Sequence, residues 1–224
     1  SAFDDFTIFA LQEVSLNQTA SLRGIKLLKS GKTRTAIAYV GKLDCVLIPD
    51  LCNNDTTVAL LNINGANYVI VSLYLDCKRQ PDFTIMSKIV EYSRRNRFEL
   101  LVGSDTNSHA EAWGYAPDKA DTRGYQCETF FMSNGLTIAD TGSPTWRSDN
   151  GSRSATIDVI AYSATLTPTV EGIKHFPLSD HDLIFCRFNI TQTCKPERNL
   201  RHCNWSKNEK KQLKLLKNVN TETK

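Results

Sequence analysis

Four short polar clusters stand at the ends of apolar runs, and their side chains together could carry out metal-assisted phosphodiester hydrolysis. Gln12-Glu13 follows FTIFAL, Asp105-Thr106-Asn107 follows LLVGS, Asp158 sits inside ATIDVIAY, and Asp180-His181-Asp182 precedes LIFCRF. Each cluster alone is ordinary, because acids at strand ends are often only solvated. Together they offer hard oxygen ligands for a divalent cation, a histidine flanked by acids that can carry charge near neutrality, and an amide that can donate to a phosphoryl oxygen. Strand ends gathered on one edge of a sheet form a natural cleft for such a set.

The runs that must position these clusters are short, apolar and rich in β-branched residues. Residues 6–11, 25–28, 35–40, 45–48, 58–63 and 68–73 read as early strands, joined by polar turns such as Ser30-Gly31-Lys32 and Asn53-Asn54-Asp55. These linkers are too short for crossover helices, which predicts antiparallel pairing. Over residues 82–96 the apolar positions Phe83, Ile85, Met86, Ile89, Val90 and Tyr92 recur at near-helical spacing against Lys88, Glu91, Arg94 and Arg95. A surface helix is predicted there, and a second over residues 122–134, stopped by Gly135. Residues 100–102, 156–162 and 183–188 read as later strands. The balance predicts an α/β fold: two packed sheets flanked by helices.

Bulk properties narrow the class. A chain of 224 residues, 41% hydrophobic, suits one large core. It carries no apolar run of the roughly eighteen residues that a membrane span needs, and no signal-type N-terminal stretch, so membrane insertion and secretion are not expected. The seven cysteines are odd in number and form no C-x-x-C pair, which suits reduced thiols in a nuclear or cytosolic protein. Cys194, His202 and Cys203 fit no common zinc-finger spacing. The net charge of +3 conceals an asymmetry, because residues 195–224 hold nine basic and three acidic residues, leaving the body at about −3. An acidic body argues against a nonspecific phosphate clamp and suits a pocket of carboxylates.

In order along the chain, LQEV, SLYLD, GSDTNSHAEAWG, ATIDVIAYS and LSDHDLI resemble the exonuclease-endonuclease-phosphatase superfamily. Within it, D-T-N-S-H-x-x-x-W-G, the following R-G and GSPTW resemble the apurinic-type endonuclease domain of non-LTR (LINE-type) retrotransposons. The resemblance covers residues 5–190. It implies a four-layered α/β sandwich, two mostly antiparallel sheets face to face with helices outside and the site at one end. It also implies a biological role: nicking one strand of target DNA so that the 3′-hydroxyl primes reverse transcription of the element's RNA.

The motif positions imply roles. Glu13 and Asp180 match the ligands of a magnesium ion, for which manganese can substitute. Asp105 matches the acid that orients and deprotonates the attacking water, and Asn107 the amide donor. His181 matches the phosphate-contacting histidine, with Asp158 the carboxylate that holds its ring. Tyr74 occupies a position usually read Y-x-P, where Leu75-Asp76 replaces the usual pair. His109 and Trp113 belong to the motif but suit packing and loop-fixing roles.

Asn150-Gly151 within WRSDNGSRS is a two-residue hairpin signal, and the resemblance implies a DNA-touching hairpin there. Arg147, Asn150 and Arg153 are the expected contacts. Ala155 stands where the family has a small hydroxyl, so Ser154 or Thr156 would substitute. The expected partners are duplex DNA and a reverse transcriptase domain of the same polyprotein, in the nucleus. The endonuclease domain is expected over residues 1–191 and a basic linker over residues 192–224, where Ser206 and Glu209 form a capping box before Leu213 and Leu216. The family opens with an Asn-bearing strand ahead of L-Q-E, which this sequence lacks, so the chain is expected either to be a fragment with upstream residues removed or to borrow the strand from a second copy. The competing readings are an abasic-site nuclease or other phosphoesterase of the superfamily, and a DNA-binding module without catalysis.

Overall fold

The computed structural model describes residues 7–14, 24–148, 150–175 and 179–188, all within a compact unit spanning Ser1–Thr191. The capping box, the basic tail and the Cys194–His202–Cys203 group lie outside the described residues. Strands β1 (Thr7–Leu11), β2 (Ile25–Leu28) and β3 (Ala36–Val40) form a three-stranded antiparallel sheet in the order β1-β3-β2. Then come β4 (Asp44–Leu47), β5 (Thr56–Ile63), β6 (Ala66–Tyr74), helix α1 (Thr84–Asn96), β7 (Glu99–Asp105), helix α2 (Thr122–Ser133) and β8 (Leu136–Ile138). A short hairpin of β9 (Trp146–Arg147) and β10 (Ser154–Ala155) leads into β11 (Asp158–Ser163). The last described strands, β12 (Pro168–Lys174) and β13 (Leu183–Phe188), pair with each other.

The second main sheet has six strands in the order β4-β5-β6-β7-β11-β8. Its pairs are antiparallel except β6 with β7, which run parallel because α1 carries the chain across between them. At the β5–β6 corner Asn64 and Gly65 both have positive φ, 52° and 82°, and Ile63 pairs directly with Ala66. This is the two-residue turn that Asn-Gly favours, because its twist matches that of the strands.

Both faces of the six-stranded sheet are covered, which is why YVIVSLY and LLV are nearly continuous apolar runs. On one face Val58, Val69, Val71, Leu73, Val102 and Val159 pack with Met86, Ile89 and Val90 of α1 and Phe131 of α2. On the other, Ala59, Leu61, Tyr68 and Ile70 meet Ile37 and Tyr39 of the three-stranded sheet. The expected α/β sandwich is therefore present, two mostly antiparallel sheets face to face; the described helices cover the outer face of the larger one. The sheets approach closely at Gly103, where an added Cβ would stand 2.6 Å from the Cβ of Ala10. Among the described residues no helix is long and apolar enough to cross a membrane, and Cys45, Cys52, Cys77, Cys127 and Cys186 are all free thiols.

Candidate active site

The site begins with strand register. Tyr74 ends β6, Asp105 ends β7 and Asp158 begins β11; Asp105 is the direct neighbour of Tyr74 on one side and of Asp158 on the other. Parallel β6 and β7 finish at the same edge, and antiparallel β11 starts there, so three residues distant in sequence fall into one row about 5 Å apart. Glu13 reaches this edge from the other sheet, just after β1. Gln12 fixes that approach: its Nε2 donates to Ser72 Oγ and to the Gly103 carbonyl, both at 3.1 Å, while Ser72 Oγ donates to the Leu11 carbonyl at 2.8 Å. Glu13 itself has a positive φ of 53° and an exposed side chain.

His181 completes the cluster. An isolated bridge pairs it with Trp146, and its Nδ1 lies 2.9 and 3.1 Å from the two carboxylate oxygens of Asp158. Burial alone would lower the ring's pKa. The hydrogen bond and charge of Asp158, then the charges of Asp105 and Asp180, outweigh burial and push it up to about 9. Asp105 is buried, with 2% of its surface exposed. That burial, together with the nearby charges of Asp158 and Glu13, pushes its carboxyl up to about 7, against the opposing pull of His181 and the Asn107 N–H. The Asn107 backbone N–H and side-chain amide both donate to Asp105, at 3.0 and 3.1 Å, and the amide also reaches the Leu75 carbonyl at 3.2 Å. Asn107 holds a left-handed φ of 47°, which Asn tolerates better than most residues. Burial, then nearby Glu13, Asp105 and Asp76, raise the Tyr74 phenol and keep it a neutral donor.

Ligand atoms of Asp105, Asp158 and His181 lie within 4.8 Å of one another. The two carboxylates fit a hard divalent cation, since they crowd until one resists ionisation and a positive charge would relieve them, whereas His181, kept charged by Asp158, does not ligate. The sequence-predicted ligands Glu13 and Asp180 flank this trio without belonging to it. The exposed Asp180 accepts the indole N–H of Trp146 on Oδ2 at 2.8 Å.

The sequence-predicted DNA contacts lie on and beside the β9–β10 hairpin. Arg147 Nε is 3.3 Å from Asp182, whose side chain is only 3% exposed, while Arg153 and Ser154 are exposed. Asn150-Gly151 does not make the expected two-residue turn. The strands stop at Arg147 and Ser154, and the longer loop is closed by side chains: Asn150 Oδ1 accepts from the hydroxyls of Ser148 and Ser152 and from the Ser152 N–H. Thr156 is half-buried, its N–H donating to the Tyr115 hydroxyl at 2.7 Å.

His109 and Trp113 hold the loop before α2. His109 Nδ1 meets Asp121 at 2.8 Å, and the buried Trp113 donates its indole N–H to the Ser108 carbonyl at 3.2 Å. Two positioning residues escaped the sequence reading. Buried Thr145 accepts the N–H groups of both Ile157 and Asp158 on its hydroxyl, each at 3.1 Å, and so sets the start of β11. Arg123 donates to the carbonyls of Leu75, Asp76, Arg79 and Thr106, binding the segments after β6 and β7. Only their membership in the P-T-W and R-G motifs hints at this, because hydrogen bonds to backbone carbonyls leave no pattern in side-chain types.

Comparison with known proteins agrees with this fold. The chain is similar to the endonuclease domain of TRAS1, a telomere-specific non-LTR retrotransposon: 22% identity over 83% of this chain and 86% of that one, TM-score 0.65. The catalytic domain of human Nocturnin shares 17% identity over 82% and 80% of the two chains, and TDP2 from C. elegans 18% over 82% and 65%, each with a TM-score of 0.50. These likenesses establish the fold. No curated protein matches the chain. The sequence profile described as endonuclease-reverse transcriptase matches residues 68–185, a span of more than half the chain that runs from the first residues of β6 through Tyr74, Asp105, Asp158 and His181 into β13. The chain therefore belongs to the endonuclease-reverse transcriptase family, as an endonuclease.

Proposed function

We propose that the protein hydrolyses duplex DNA, nicking one strand and leaving a 3′-hydroxyl that primes reverse transcription of a retrotransposon RNA. The observation that carries this reading is the convergence at one sheet edge: buried Asp105 stands between Tyr74 and Asp158, and His181 is held against Asp158 beside them. Asp105 accepts the proton of the attacking water, which adds to phosphorus as the P–O3′ bond breaks. His181, kept charged by Asp158, faces the phosphoryl oxygens, and Tyr74 and Asn107 add neutral donors. Glu13 and Asp180 would hold a magnesium ion. Such an ion, when bound, neutralises charge developing on the phosphate and the departing oxygen.

Supercoiled plasmid incubated with magnesium tests the reading. Conversion to nicked circles by the wild type, lost on chelation and in Asp105→Ala, is expected. Plasmid that stays supercoiled but shifts in mobility would instead make the chain a binding module, and cleavage confined to abasic sites would make it a repair-type nuclease.

Around this core, the β9–β10 hairpin supplies phosphate or groove contacts through Arg147, Arg153 and Ser154, with Asn150 and Thr156 supporting the loop. The domain ends near Thr191, and the basic stretch beyond it is a linker toward a reverse transcriptase domain of the same polyprotein. Its substrate, chromosomal DNA, sets the nucleus as the place of action.

A further inference from the structure

On the β5 side of Tyr74 stands a charged quartet that the chemistry above does not use. Arg34 Nε donates to Asp55 Oδ1 at 2.7 Å, and both terminal nitrogens of its guanidinium lie 3.1 Å from Asp76 Oδ2. Arg79 closes the group from outside, 2.6 Å from Asp55 and 3.3 Å from Asp76. Two guanidinium and two carboxylate charges cancel. The Arg34 guanidinium lies over the Tyr74 ring, 4.6 Å from its centroid. Backbone bonds tie the same segments together: Tyr74 N–H donates to the Asp55 carbonyl at 2.8 Å, Arg34 N–H to the Asn54 carbonyl at 2.7 Å, and Val14 N–H, next to Glu13, to the Arg34 carbonyl at 2.8 Å.

This arrangement gives Arg34 a definite task. Its Nε and both terminal nitrogens already point at carboxylates, so little donor capacity is left for a substrate phosphate. A planar cation held by two acids across the face of a phenol fixes the plane of that ring, through cation–π attraction and through the rigidity of the fork. A lysine offers no plane and no fork. Asp76 is also the residue that departs from the Y-x-P pattern, so one acid of the clamp is peculiar to Y-L-D sequences such as this one.

We propose that Arg34 is a positioning residue for phosphodiester cleavage: clamped by Asp55 and Asp76, it sets the plane of the Tyr74 ring and hence the direction in which its hydroxyl, whose proton stays near that plane, donates to the phosphate. The inference rests on the reading of the site given above. It separates from simple stabilisation by its dependence on Tyr74.

Arg34→Ala should lower the nicking rate at saturating DNA by about tenfold, as expected for a misplaced donor, with KM nearly unchanged. Arg34→Lys should recover little. In a Tyr74→Phe background, Arg34→Ala should cost less than about twofold more, because the two act as one unit. A full tenfold loss in that background, or an effect on KM alone, overturns the proposal. Should Arg34→Ala fail to fold, Asp76→Asn, which keeps Arg34 and loosens one side of the clamp, is expected to lower the rate about threefold with the same dependence on Tyr74. A DNA-free measurement separates this inference from the functional reading. Carbon-13 spectra of labelled tyrosine rings should show Tyr74 held in the wild type and rapidly averaged in Arg34→Ala. An unchanged ring signal sinks the clamp whatever the enzyme does, whereas a loosened ring in a protein whose wild type never nicks DNA sinks the functional reading and leaves the clamp standing.

Discussion

Asp105 and His181 sit within one small cluster, and their carboxyl and imidazole are both pushed well above their ordinary values, which suits the roles proposed for them. A carboxyl at about 7 can take a proton from water near neutrality, and an imidazole at about 9 stays charged throughout that range. Asp105→Ala and His181→Ala should each lower nicking by about 10²–10⁴-fold, while circular dichroism and melting temperature stay close to wild type. Wild-type rates in Asp105→Ala would remove it from the water step.

The same shifts bear on stability. His181 rises from 6.5 to about 9 and Asp105 from 3.8 to about 7, so in both cases the folded chain keeps a proton that the unfolded chain has lost. The stabilisation is complete below the ordinary value and is lost as pH rises through the shifted one. Melting temperature in a chelator should therefore fall between pH 6.5 and 9 as His181, facing Asp158, Asp105 and Asp180, gives up its proton. Asp158→Asn should flatten that segment of the curve. A slope unchanged in the variant would show that another group is responsible.

At the scale of elements, two glycines and their surroundings fix how closely segments approach. Gly124 lies in the first turn of α2, where an added Cβ would stand 1.9 Å from the His109 carbonyl oxygen. A backbone neighbour cannot swing aside, so Gly124→Ala should cost roughly 3 kcal/mol in denaturant unfolding, against near-neutrality for an alanine at an open helical position. Most elements were legible from residue types. The strand pattern, the α1 face and the stop at Gly135 all follow from periodicity and backbone preference, and the bounds of the expected strands fall within about three residues of the observed ones, whereas β8 and β12 are not among those expected. What periodicity cannot carry is pairing. The row of Tyr74, Asp105 and Asp158 depends on β7 lying parallel to β6 and between it and β11, a tertiary fact that spacing does not carry; the resemblance implies only that the site lies at one end of the sheets. Asn-Gly illustrates the limit. At 64–65 it makes the two-residue turn between long strands. At 150–151 serine and asparagine side chains stabilise a longer loop, and the short flanking strands do not impose the tighter one.

At the scale of the molecule, the sequence has an acidic body and a basic tail. On the proposed reading, carboxylates around the site would repel DNA, so the contacts that bring it in would lie on rims such as the hairpin, where Arg153 and Ser154 are exposed. Exchanging residues 148–153 for a loop of different sequence, which spares Trp146 and Arg147 beside Asp180 and Asp182, should move the preferred nick positions on a defined duplex while leaving the rate at the new positions within about tenfold. Unmoved positions would take the hairpin out of target choice. The residues proposed for chemistry all precede Thr191, so removing residues 192–224 should leave plasmid nicking at low salt within about twofold of the longer chain. A larger loss would make that stretch part of the DNA grip.

One amide side chain bridges the two sheets. Gln12 hangs from the end of β1 and fastens to Ser72 and Gly103 in the opposite layer, so the glutamate beside it is only as well aimed as that fastening. A wedge driven between the layers near Ala10 and Gly103, whether an extra methyl group or a small apolar molecule, would disarm the enzyme from behind without touching any of its acids. The seam that gives the protein its interior is thus also the place where it can be silenced from a distance.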